Sequence, residues 1–112
     1  MKKIFAVPTE NGTLCTHFGH CEKFALVETK DNRIIGEIFV SPPQHQPGVY
    51  PQFLAGQGVN VIISGGMGER ARQLFVQHHI EVCTGVKADT PANLVEEYLN
   101  GQLQTGENLC DH

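Results

Sequence analysis

The chain contains no tryptophan, no long apolar run and no concentration of positive charge. Nothing in it approaches the roughly 20 consecutive apolar residues that a membrane-spanning helix requires, so no membrane segment is expected. Lys and Arg number 8 against 12 Asp and Glu, a net charge of −4, and no basic cluster interleaved with aromatics occurs. That balance argues against nucleic acid and anionic membrane surfaces as partners. The opening "MKKIFAVPTENG" breaks at Pro8 before it could supply the hydrophobic segment of an export signal, so a cytoplasmic location is expected. In a reducing compartment the four cysteines read as available ligands and not as a disulfide framework. Also missing are paired carboxylates at strand ends, a serine nucleophile elbow and a Cys-His-Asn arrangement, so no enzyme is expected. A Cys15–His17 nucleophile pair is the one catalytic alternative left open.

What is present fits a single domain of 112 residues, long enough to bury one core. "KKIFAVPT" reads as a buried strand closed by Pro8 and followed by a polar loop to about Gly19. "FALVET" and "RIIGEIFV" flank "KDN", whose Asp31 and Asn32 tolerate the positive φ of a tight hairpin. A proline-stiffened connection, "SPPQHQPGVYP", leads into a short helix around "PQFLAGQ" that Gly58 ends. "VNVIIS" is an apolar strand, "ERARQLFVQHH" a helix with His78 on its apolar stripe, and "IEVCTG" a short strand with a buried, inert Cys83. "DTPANLVEEYLNG" is a helix capped by Thr90, with Pro91 in its first turn, Gly101 after its last, and a stripe of Leu94, Val95, Tyr98 and Leu99. The order βββαβαβα predicts a mixed α/β sheet with helices on its faces. The domain is expected to span 1–103, with a flexible tail over 104–112.

The chemistry concentrates in "CTHFGHC". Cys15, His17, His20 and Cys21 place two thiols and two imidazoles within seven positions. These are ligand types favoured by zinc, copper and iron–sulfur species, although the spacing matches no standard zinc signature. His45 on the proline-rich loop, and Cys110 and His112 in the terminal "CDH", add soft donors from two more segments. The plainer interpretation leaves the histidines as loop hydrogen-bonders and the cysteines as small apolar residues. In "SGGMGERA", Gly65, Gly66, Met67 and Gly68 lie where a strand enters a helix. The glycines would let backbone amides approach an anion, or would simply form a tight turn.

The segments "IFAVPTENG", "HFGHCEKFALVE", "QHQPGVYPQFLAGQGVNVIISGGMGERARQLF" and "IEVCTGV" together resemble the dinitrogenase iron–molybdenum cofactor biosynthesis family, in a small stand-alone member. The resemblance implies a ribonuclease H-like fold, a five-stranded mixed sheet whose second strand is antiparallel to the others. It further implies non-catalytic binding or carriage of a metal–sulfur cluster, of the iron–sulfur or iron–molybdenum cofactor type or a precursor, exchanged with donor and acceptor proteins. His17 of "HFG" is the best-matched ligand, His45 matches a family histidine near the Pro-Gly segment, and "GGMG" matches its glycine turn. The alternative is a protein-interaction or regulatory domain that binds zinc or no metal.

Overall fold

The computed structural model describes residues 2–15, 21–44 and 48–106. The elements run β1 (Lys2–Glu10), β2 (Thr13–Leu14), β3 (Lys23–Lys30), β4 (Arg33–Val40), α1 (Val49–Gly56), β5 (Val61–Ile63), α2 (Glu69–Gln77), β6 (Glu81–Cys83) and α3 (Pro91–Leu99). They form one mixed sheet in the order β4-β3-β1-β5-β6, with β2 attached to β1. β3 is antiparallel to both β1 and β4, whereas β5 runs parallel to β1 and β6 parallel to β5. The sheet thus has six strands where five were expected. The difference is β2, two residues that return against Thr9 and Glu10 after the turn at Asn11 and Gly12, both at positive φ. A strand so short leaves no period-two signal in the sequence.

Pro8 does not close the first strand. It pairs with Phe24 in the antiparallel ladder, and β1 continues to Glu10. The parallel pairing with β5 is confined to Phe5 and Ala6. Proline lacks the N–H that a further step of that ladder would use, so it ends one pairing while sparing the other. Beyond β5, the Pro8 carbonyl instead accepts the Cys15 N–H at 2.8 Å.

The hairpin forms as its sequence suggests, with Asp31 at φ 52° and Asn32 at φ 66° joining Lys30 to Arg33. Alternation along the strands divides the core between the two faces of the sheet. Phe5, Val7, Val61 and Ile63 meet Leu94 and Val95 of α3 on one side. Ala6 and Ile62 meet Tyr50 and Leu54 of α1 and Phe75 of α2 on the other, where Met67 is also buried. Helix α3 starts as read, with Thr90 Oγ1 accepting the Asn93 N–H at 3.3 Å and Pro91 in the first turn. Helix α2 ends at Gln77, so His78 is an exposed cap residue and not part of an apolar stripe; His79, at φ 62°, turns the chain into β6.

Phe75 is fully buried, and its replacement by Ala should cost about 3–5 kcal/mol in urea unfolding because the cavity cannot collapse against a rigid sheet. Thr90→Ala, which removes one exposed cap bond, should cost only about 1 kcal/mol.

Candidate functional site

The carboxyl ends of the parallel strands β1 and β5 bring Cys15, Cys21 and the segment 65–68 to one end of the sheet. In open α/β sheets this is where ligands bind, because the turns there are free to vary above a rigid floor. Two hydrogen bonds to neighbouring residues of β1 hold the described flanks of "CTHFGHC": Cys15 N–H donates to Pro8 and Glu22 N–H to Thr9, each at 2.8 Å. Cys15 and Cys21 are thereby held near the end of β1. His17 and His20, which lie between them, are outside the described residues, as are His45, Cys110 and His112.

Cys15 is only 6% exposed. Cys21 is half-buried against the α1 side of the core. Burial, and next the neighbouring Cys15, push the Cys21 thiol up to about 11. Tyr50, at the start of α1, is likewise pushed up by burial and by Cys21, and packs edge-on against Phe24 at 5.1 Å between ring centroids. The start of α1 therefore borders Cys21. Gly48, its N-cap at φ 80°, directly follows the segment that carries His45. Among the described residues, no three His, Cys, Asp or Glu side chains converge as metal ligands.

The segment 65–68 is not a turn built on left-handed glycine. Gly68 has φ −63°, and the left-handed residue nearby is Gly85, at φ 72°. Gly65, Gly66 and Met67 are buried, with the Met67 side chain in the core; of the four, Gly68 alone is exposed. Gly68 caps α2 without a side-chain acceptor, so any anion would meet the chain there. Gly65 accepts the Gly85 N–H at 2.7 Å, which joins the loops that follow β5 and β6.

Sequence reasoning missed Thr9 and Ser64, two buried hydroxyls at this end of the sheet. Thr9 Oγ1 donates to the Lys23 carbonyl at 2.9 Å and Ser64 Oγ to the Gly66 carbonyl at 3.1 Å, fixing the bases of the two loops. The signal for Ser64 was available: a hydroxyl closing an apolar strand directly before two glycines.

Cys83 ends β6 at this same end of the sheet, where its carbonyl accepts the Ser64 N–H at 2.8 Å. It is 8% exposed and borders a cleft of ≈ 660 Å³ along β6 that Glu81, Arg72 and Tyr98 also line. Tyr98 donates its hydroxyl to Glu81 at 2.9 Å. Burial, followed by Glu81, pushes the Cys83 thiol up to about 11, in keeping with a structural residue. Leu103 packs against the α3-side core, and Gly106 N–H donates to the Thr84 carbonyl at 3.1 Å. The segment expected as a tail from 104 thus begins with a backbone contact beside β6.

A thiol at about 11 rather than 9.0 carries about a hundredfold less thiolate at neutral pH, and the thiolate is the species that reacts. Iodoacetamide should therefore modify Cys21 about a hundredfold more slowly than a free thiol at pH 7.5, with a rate that climbs about tenfold per pH unit until near pH 11. Peptide mass mapping across a pH series checks this. A Cβ at Gly85 would stand 2.3 Å from the Gly106 carbonyl carbon, so Gly85→Ala should displace residues 103–106 and make them cleavable under limited proteolysis.

Comparison with known proteins agrees with this fold. The profile of the family described as "Dinitrogenase iron-molybdenum cofactor" matches residues 1–101. A protein of Methanocaldococcus jannaschii is 34% identical over 109 residues, covering 91% of this chain and 90% of its own. The crystal structure of the protein PH0822 superposes with a TM-score of 0.83 at 25% identity, over 92% of this chain and 96% of the other. The apo form of the orange protein from Desulfovibrio gigas shares the fold, with a TM-score of 0.78 at 23% identity over 95% and 94% of the two chains. With its profile spanning nearly the whole sequence, the chain belongs to the dinitrogenase iron–molybdenum cofactor family.

Proposed function

We propose that the protein is a non-catalytic binder or carrier of a metal–sulfur cargo, an iron–sulfur cluster, an iron–molybdenum cofactor-type cluster or a precursor of either. The observation that carries this is the anchoring of Cys15 and Cys21, the two ends of a ligand-rich segment, at the carboxyl end of β1 in a member of this family. Thiolate and imidazole suit the soft metals of such clusters. Cys15, His17, His20 and Cys21 are the proposed primary donors, with His17 foremost. His45 precedes the Gly48 cap that borders the site, and Cys110 and His112 follow the Gly106 anchor.

The half-buried Cys21 supports carriage over nucleophilic chemistry. Its thiol is held up at about 11, so it is protonated at neutral pH, as a nucleophile would not be. A metal would have to displace that proton, which makes cargo uptake pH-dependent and reversible. The amide end of α2 at Gly68, capped by no side chain, suits an anionic edge of the cargo. Release and delivery would involve donor and acceptor proteins in the cytoplasm.

Anaerobic reconstitution with iron, sulfide and molybdate, followed by metal analysis and visible spectra, tests the proposal. Wild type should retain metal with a charge-transfer spectrum, while His17→Ala and Cys21→Ala should each lose most of it. Equally little metal on all three would end the cluster reading. Retention of zinc alone would favour the interaction or regulatory alternative.

A further inference from the structure

Of the four large apolar side chains exposed among the described residues, three belong to β4: Ile35 at 54%, Ile38 at 58% and Phe39 at 46%. β4 is also an edge of the sheet. Natural edge strands are normally blunted by charge, proline or distortion, because their unpaired peptide groups invite another strand. Here the only irregularity is a bulge opposite Glu28 and Thr29, which sets Ile35 out of register and leaves Gly36–Val40 regularly paired. Within that regular stretch Glu37 is the sole charge.

The direction of the free peptide groups follows from the ladder. Ile4 of β1 turns its carbonyl toward the β5 side, accepting Asn60 N–H at 2.8 Å. Strict alternation then turns Phe24, Leu26 and Glu28 of β3 toward their partners Val40, Ile38 and Gly36. Glu37 and Phe39 are left with their N–H and C=O pointing away from the sheet. The exposed side chains lie on both faces, Ile38 opposite Leu26 and Phe39 opposite Ala25. A helix laid on one face would cover only one of them, whereas an added strand covers both.

We propose that β4 pairs antiparallel with β4 of a second copy of this chain, about a two-fold axis at Ile38. Glu37 then exchanges both hydrogen bonds with Phe39 of the second copy, and Ile38 faces Ile38. Gly36 faces Val40 of the second copy. A Cβ at Gly36 would meet nothing within 4 Å, and Gly36 lines a cleft of ≈ 350 Å³ together with Ile4, Leu26 and Ile38, so the strand offers a hole where its own Val40 arrives. A shift of register one way would set Glu37 against Glu37, a like-charge pair that disfavours it; a shift the other way would set Phe39 against Phe39, the register that crosslinking at position 39 separates from this one. The regularly paired stretch is Gly36–Val40, far fewer than the roughly 20–30 residues a side of a standard interface, so the dimer is reversible.

Sedimentation velocity from about 5 µM to 1 mM should show the mean mass rising from 12.3 kDa toward twice that value. Ile38→Lys, at an exposed position of the monomer, would set two ammonium groups face to face across the two-fold and should hold the mass at the monomer value while leaving the thermal transition in place. In glutathione disulfide, Ile38→Cys should crosslink two copies through position 38. Phe39→Cys, which faces Glu37, should not crosslink at position 39. A wild-type mass that stays monomeric throughout, a dimer that survives Ile38→Lys, or equal crosslinking at both positions would each overturn the pairing.

Discussion

Everything in this fold hangs on β1 being paired along both of its sides. It is the one strand whose ladder joins an antiparallel half, β3 and β4, to a parallel half, β5 and β6, and its side chains seed both cores. Its regularity fails at one chosen place. At Pro8 the missing N–H stops the pairing with β5, and the vacated edge is taken by Cys15. The covalent chemistry of a single residue thus opens the sheet where the candidate site begins.

That opening sets the electrostatic character of the site. Cys21, half-buried across the loop from Cys15, is poorly hydrated, so its charged form is disfavoured by burial and then by the neighbouring Cys15. A thiol that resists ionisation is a poor catalyst at neutral pH, but it is well disposed toward a cation whose arrival offsets that penalty.

Much of the architecture could be read from residue patterns. Apolar and β-rich runs gave the strands, Asp31 and Asn32 the hairpin, and Thr90 with Pro91 the start of α3, because each depends on contacts within a few residues. What could not be read depends on partners distant in the chain. β2 exists because Thr9 and Glu10 lie free beyond β5, and His78 is exposed because α2 stops two residues earlier than its pattern suggests. Of the site, Cys15 and Cys21 were legible as residues, but Cys21 was not legible as a neighbour of Tyr50, which is contributed by a helix some thirty positions away. Gly65 and Gly66 looked like a tight turn or an anion-binding loop and are instead buried positions, a distinction only the third dimension supplies.

Lys3 places its ammonium 5.7 Å from the ring centre of Tyr98 in α3, and Lys2 pairs with Glu28 at 3.3 Å. Both contacts secure the beginning of β1 at the end of the sheet away from Cys15 and Cys21. A nine-residue strand separates the two ends by roughly 25–30 Å. An affinity tag or a fluorescent reporter joined ahead of β1 would therefore project from the far side of the molecule, leaving the thiol-bearing mouth clear for a cargo or a delivering protein.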